Sequence, residues 1–280
     1  MNHPIKLLAL DLDGTVLNNT KHITPVTRAA LEAAIAAGVT VIPASGRPMT
    51  GLCQEFLDIP GVNYALTSNG AAVYDLRQHQ PIYTNYLDTE VAAELMERML
   101  PLELMATFFA EGQGYAVRRQ MSLLDRLPLE EPIKDYLRSS RKLLEDPVAF
   151  IRQHGKVEKF SLNFVHGPDD QWVDYEGLKA ILADHPDLSV VSGGTDNLEI
   201  TSPTASKGTA LLALADYLGI PHEQTMACGD SENDLEMLKA AGFSVAMANC
   251  EDCIRPFVDA VTGTNEEDGV AQAIHKYILA

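Results

Sequence analysis

Residues 5–15 read IKLLALDLDGT. Apart from Lys6, residues 5–10 are apolar on both faces, which is the pattern of a strand buried between helices in a parallel sheet. The run then delivers two carboxylates, Asp11 and Asp13, with Gly14 behind them to relax the turn. In an open parallel sheet, ligands bind beyond the carboxyl ends of the strands. An isolated Asp-x-Asp is also a common source of turns and caps, so its meaning depends on what the other strand ends carry.

Around this strand the chain alternates strand and helix as far as residue 67. Thr24 is a helix N-cap, Pro25 sits in the first turn and Gly38 closes the helix. VTVIPA (39–44) is a second strand ending in SGRP, and YALT (64–67) a third ending in SNGA. This alternation predicts a doubly wound, mostly parallel, Rossmann-like α/β core.

The grammar then changes. A hairpin spans 72–87, followed by an amphipathic helix over 89–100 and strands MATFFA and YAVRR around an EGQG turn. A polar, Pro-punctuated helical stretch (122–153), a strand FSLNFV (160–165), a helix carrying Trp172, a strand LSVVSG (188–193) and a Gly-Gly hinge or turn at 193–194 complete this part. Strands joined by turns predict an inserted antiparallel α+β domain. From LEIT (198–201) onward the βα alternation resumes, with a helix opening at SKGTAL and a strand TMACG (225–229). The expected domains are therefore 1–85 with 193–280, forming the core, and 86–192, forming the insert. Within the insert, Arg118 and Arg119 could meet a substrate phosphate or carboxylate, but a solvated strand face is the expectation.

The net charge is −18, from 39 acidic and 21 basic residues. Such a field argues against nucleic acid and membrane surfaces as partners, but not against a small phosphorylated metabolite held locally by a metal. No stretch approaches the ~20 apolar residues a membrane helix needs, and no basic segment followed by an apolar signal core is seen, so a cytoplasmic location is expected. Four cysteines are too sparse for a disulfide framework, and CEDC (250–253) has no second pair to complete a metal site.

Three further strand or helix ends carry chemistry of the same kind as Asp11 and Asp13. Asp230 follows TMACG, with Asn233 and Asp234 in the next turn. Carboxylates meeting at one edge repel and raise each other's pKa values unless a cation joins them, and hard oxygen ligands favour Mg²⁺. Lys207 opens a helix, where backbone N–H groups and the dipole favour an anion. Ser45 and Gly46 offer a hydroxyl and open amides after the second strand. Together these residues can clamp a phosphoryl group. The eight histidines are scattered and no Cys-x5-Arg appears; a carboxylate can serve as nucleophile, with a second carboxylate trading protons, and Asp11 and Asp13 fit those two roles.

DLDGT (11–15), ASGRP (44–48), SKGTAL (206–211) and GDSENDLEML (229–238) resemble, in order, the four motifs of the haloacid dehalogenase superfamily of phosphohydrolases. The resemblance spans essentially the whole chain. It implies Asp11 as nucleophile, Asp13 as general acid/base, and Mg²⁺ held by Asp11, the Asp13 backbone carbonyl and Asp230. It also implies Ser45 and Lys207 on the phosphate, with Asn233 and Asp234 completing the metal shell or its hydrogen bonds. Arg47 and Asn69 lie near enough to meet substrate. About 30 residues separate the first two motifs and about 160 separate Ser45 from Lys207. The insert therefore falls where the Cof-type subfamily carries its substrate-selecting cap, although that subfamily more often has Thr at the Ser45 position.

The activity so implied is Mg²⁺-dependent hydrolysis of small phosphate monoesters, sugar phosphates or phosphorylated cofactors, through an aspartyl phosphate. It requires the Asp13 pKa to lie above its ordinary ~3.9, and closure of the cap would exclude water. Two alternatives share the scaffold: a phosphotransferase or phosphomutase, and a weakly catalytic phospho-ligand binding protein. The individual substrate and the oligomeric state stay open at this level.

Overall fold

The computed structural model describes residues 3–192 and 196–280. The chain divides into two compact units, 1–84 with 206–280, and 85–205.

The first segment holds β1 (Leu7–Leu10), α1 (Pro25–Ala36), β2 (Thr40–Pro43), α2 (Gln54–Leu57), β3 (Tyr64–Thr67), β4 (Ala72–Asp75) and β5 (Gln80–Thr84). The inserted segment holds α3 (Thr89–Met99), β6 (Leu104–Ala110), β7 (Gln113–Val117), α4 (Glu131–Ser140), β8 (Arg141–Leu144), α5 (Pro147–His154), β9 (Val157–Phe164), α6 (Tyr175–Ala183), β10 (Ser189–Ser192) and β11 (Asn197–Thr201). The chain then returns with α7 (Lys207–Leu218), β12 (Thr225–Gly229), α8 (Leu235–Ala240), β13 (Phe243–Ala246), β14 (Ala260–Val261) and α9 (Gly269–Tyr277).

In the first unit a parallel sheet runs β14-β13-β12-β1-β2, with β1 between β12 and β2. Alternation along β1 explains its apolar run. Leu8 and Leu10 pack on one face with Leu31 of α1 and Ile274 of α9, while Leu7 and Ala9 pack on the other with Leu211 and Leu214 of α7 and Met237 of α8. Each such fully buried leucine contributes about 1.5–3 kcal/mol. The expected third strand, β3, joins the sheet only through a bridge between Ala44 and Leu66, and otherwise pairs antiparallel with β4.

In the second unit six strands run β10-β11-β9-β6-β7-β8. Phe108, Phe160, Leu162 and Phe164 pack with α3, α5 and α6, and Met105 and Ala116 form a smaller cluster with Leu124, Leu127 and Leu137.

Several expectations are corrected here. LEIT does not resume the core: β11 pairs antiparallel with both β9 and β10. Leu198 and Ile200 face the apolar cluster while the intervening Glu199 pairs with Lys159, the alternation of a strand covered on one face. The compact unit therefore returns at Ser206 rather than 193, and the Gly-Gly hinge at 193–194 lies outside the described residues. The Pro-punctuated stretch 122–153 breaks at its prolines, Pro132 lying in the first turn of α4 and Pro147 opening α5, but it is not helical throughout, since β8 lies between them. Trp172 precedes α6 instead of lying in it, stacks on Phe164 at 4.3 Å, and donates to Asp196 Oδ1 at 2.8 Å. Strand β7 stops at Val117; Arg118 pairs with Glu145, and Arg119 donates to the Leu100 carbonyl at 3.1 Å.

At the insert's ends, Asn85 Oδ1 accepts from Ser202 Oγ at 2.8 Å and from Thr204 Oγ1 at 3.2 Å. No helix among the described residues is long and apolar enough to cross a membrane.

Candidate active site

Parallel pairing fixes the height of the site residues that follow β1, β2 and β12. Leu10 is level with Cys228 of β12 and Pro43 of β2, so Asp11, Asp230 and Ser45 all emerge at one sheet edge. Asp11 N–H donates to the Cys228 carbonyl at 3.0 Å. Asp11, Asp230 and Asp234 are buried and each offers a carboxylate oxygen within 4.8 Å of the others. This group of carboxylates could hold a metal ion.

Lys207 enters from the N-terminus of α7. Ser206 caps that helix, accepting from Thr209 N–H at 3.0 Å, and its backbone lies against Gly70, which has φ 94° and where an added Cβ would overlap Ser206. Lys207 Nζ donates to Asp11 Oδ1 and to Asp234 Oδ1, each at 2.6 Å. Asp234 Oδ2 accepts the backbone N–H groups of Asp230 (3.0 Å) and Ser231 (3.2 Å). Asp230 accepts from Thr15 Oγ1 at 2.8 Å and Ser231 Oγ at 3.1 Å. Gly14, at φ 85°, is required where it stands, since a side chain there would strike the Asp230 carboxylate.

The electrostatics follow from burial. Desolvation, reinforced by the charge of Asp234 and opposed by Lys207, pushes Asp11 up to about 8. Desolvation also lifts Asp230 to about 6. Burial works against the charge on Lys207, but Asp11 and Asp234 outweigh it and raise its pKa, so the ammonium is held charged. Carboxylates raised in this way are those a divalent cation would return to their ionised form.

Asp13 behaves differently. Its carboxylate is not among the clustered oxygens. It turns to Arg47, with Nε to Oδ2 at 3.0 Å and Nη2 to Oδ1 at 2.8 Å, and to Lys21 Nζ at 2.8 Å. Burial pushes its pKa up, but Arg47 and Lys21 prevail and hold it below the ordinary value. The raised pKa expected from the sequence is not met in this arrangement.

Ser45 is buried at the end of β2, and its Oγ accepts from Arg47 N–H at 3.1 Å. Gly46 lies against Asn69, where a Cβ would come within 2.7 Å of Oδ1, and Asn233 Nδ2 reaches the same oxygen at 3.4 Å. Ser68 and Asn69 have φ of 50° and 55°, the strained backbone that functional edges tolerate. Thus Asp11, Lys207, Asp230 and Asp234 meet directly, while Ser45, Gly46, Asn69 and Asn233 form a neighbouring chain of contacts. Sequence reasoning gave no role to Thr15, Ser231 or Lys21. Thr15 lies inside DLDGT and Ser231 inside GDSEND, so motif membership was a usable signal; Lys21 carried none.

Residues 8–274 match the family described as haloacid dehalogenase-like hydrolase. Phosphatase YwpJ of Bacillus subtilis is 32% identical over 98% of this chain and 100% of its own. The 5-amino-6-(5-phospho-D-ribitylamino)uracil phosphatase YcsE of the same organism is 28% identical, over 98% and 96%. A solved haloacid dehalogenase-like hydrolase from B. subtilis superposes with a TM-score of 0.78 at 28% identity, covering 96% of this chain and 99% of that one. With four ordered motifs at one sheet edge and a match over nearly its full length, the chain belongs to the haloacid dehalogenase-like hydrolases, as a phosphatase of the Cof type.

Proposed function

We propose that the protein hydrolyses small phosphate monoesters, sugar phosphates or phosphorylated cofactors, with Mg²⁺, through a phosphorylated Asp11. The observation that carries this reading is the meeting of Asp11, Lys207, Asp230 and Asp234 at one sheet edge. Asp11 and Asp230 would hold the cation. Asp234, whose oxygens already accept Lys207 and two backbone N–H groups, orients the site and is the weaker candidate ligand. When bound, Mg²⁺ supplies Lewis-acid neutralisation of the phosphoryl oxygens.

This chain's residues do the rest. Lys207 binds Asp11 through Oδ1, which leaves Oδ2 to attack phosphorus in line as the ester oxygen departs. Lys207, the Ser45 hydroxyl and the Gly46 N–H take the charge on the equatorial oxygens. Asp13 moves the protons, first to the leaving oxygen and then from the water that cleaves the acyl phosphate. Paired with Arg47 and Lys21, it is held in the basic form that the second half of the reaction uses; to protonate the leaving oxygen in the first half it must first take up a proton, which release of Lys21 from its carboxylate would favour. The unit 85–205 is assigned the selection of the leaving group. A cytoplasmic setting is supported by four cysteines that form no disulfide.

The relative named for a ribitylaminouracil phosphate supports a small phosphorylated metabolite as the substrate class. A panel of phosphate monoesters, assayed for inorganic phosphate with and without Mg²⁺ and with no acceptor present, tests the reading. Mg²⁺-dependent release is expected. Isomer formation without release would overturn it.

A further inference from the structure

Asp13 sits under two cations where one would satisfy it. Arg47 closes a two-pronged fork on the carboxylate, at 3.0 and 2.8 Å, the arrangement a guanidinium makes best. Lys21 then reaches the same Oδ1 over 2.8 Å from a side chain that is 60% exposed. One oxygen is shared by two positive groups, in a chain whose net charge is −18.

The placement of Lys21 is built. Its φ is 63°, a left-handed conformation that residues other than glycine rarely adopt. The turn that imposes it is bonded from every side. Asn18 Oδ1 accepts from Thr20 N–H, Thr20 Oγ1 and His22 N–H. Glu55 accepts Ile23 N–H at 3.0 Å, Glu266 accepts Asn19 N–H at 2.6 Å, and Asn265 Nδ2 holds the Leu17 carbonyl at 3.0 Å. An ordinary exposed lysine pair contributes little and needs no such frame. A pre-positioned ammonium beside a reacting carboxylate has the form of a ligand contact.

We propose that Lys21, seated beside Arg47, selects phosphate monoesters that carry a second anionic group, a carboxylate or another phosphate, a few bonds from the ester oxygen. The inference rests on the phosphatase reading above. A second anion takes the ammonium that Asp13 shares, while Asp13 keeps its fork to Arg47. A neutral leaving group leaves Lys21 where it is and gains nothing from it. Being exposed, the contact is screened by salt.

Glycerol 3-phosphate and 3-phosphoglycerate form a matched pair, differing by a hydroxymethyl in place of a carboxylate. The readout is the ratio of their kcat/KM values in the native protein, Lys21→Met and Lys21→Arg. The native protein is expected to favour the carboxylate, and Lys21→Met to lower that ratio about tenfold, mainly through KM. Lys21→Arg should restore most of it, and salt of about 0.5 M should narrow it. A ratio that Lys21→Met leaves within about twofold, or a native preference for glycerol 3-phosphate, would overturn the inference. Calorimetric binding of the same two compounds to Asp11→Asn separates it from the parent reading. A preference carried by Lys21 in binding, without turnover of any ester by the native protein, sinks the phosphatase reading and keeps the anion seat; turnover without preference does the reverse.

Discussion

Lys207 Nζ lies 2.6 Å from Asp11 Oδ1, wholly buried, and the same ammonium spans to Asp234. Removing it leaves two buried carboxylates without their cation. Lys207→Met should therefore lose about 3–5 kcal/mol of stability and, with the phosphate clamp gone, at least about 10²-fold in kcat. Urea denaturation and phosphate release check the two effects separately; full activity in the variant would remove Lys207 from the mechanism.

Asp11→Asn keeps the shape of the side chain but not its nucleophilicity. We expect turnover to fall by about 10³-fold or more while the melting temperature moves by only a few degrees, since the change also removes a carboxylate that burial and Asp234 disfavour. An unchanged rate would exclude Asp11 as the attacking group.

If Asp11 and Asp230 hold Mg²⁺ as proposed, chelation by EDTA should abolish turnover and lower the melting temperature, because folding alone brings the two carboxylates together. At about 100 times its dissociation constant the ion adds ~2.7 kcal/mol, and restoring it should recover both properties. Thermal scans with and without Mg²⁺ in Asp230→Asn should show a much smaller shift.

Asp75, at the end of β4, is buried and accepts Arg77 at Nε (3.0 Å), Nη2 (2.6 Å) and the backbone N–H (2.9 Å). Arg77 hydrogen bonding, against some desolvation, holds its carboxyl down at about 2. A depressed folded-state value means the unfolded chain binds the proton first, so this contribution is present above the unfolded value near ~3.9 and is lost as the pH falls toward 2. The stability gap between the native protein and Asp75→Asn should be constant from pH 7 to about 5 and shrink below about 4. A gap that persists at the acid end would mean that Asp75 acts by shape alone.

Gly70→Ala tests how the lysine is placed. The added methyl meets the Ser206 backbone in a left-handed conformation, so the α7 cap must shift and carry Lys207 with it. We expect a loss of more than about 1–3 kcal/mol and a fall in kcat larger than the rise in KM.

The strands that carry the site could be read from residues alone because their order was local. β1, β2 and β12 are short apolar runs that end abruptly in Asp, Ser-Gly or Gly-Asp, and a doubly wound sheet leaves one edge for all of them. What escaped depended on distant partners. β11 could as well have begun a core strand until β9 and β10 claimed its two edges, because strand identity is settled by what covers each face. β8 is a basic tetrapeptide between two helices and has no strand signal without β7 beside it. The state of Asp13 was invisible for the same reason: nothing in eight residues of spacing says that Lys21 turns back upon it, since that turn depends on Glu55, Asn265 and Glu266.

The tie from Asn85 to Ser202 and Thr204 joins the entrance and exit of the inserted segment. A segment that leaves and returns at neighbouring points behaves as a cassette. Its host needs only a short bridge to reclose, and loop-closure entropy grows slowly with length. Cutting at residues 84 and 206 and joining them with a short Gly/Ser linker should leave a folded remainder. By the same geometry, a change of length inside the cassette should leave undisturbed the register of β1 on β12 that brings Asp11 and Asp230 to one edge.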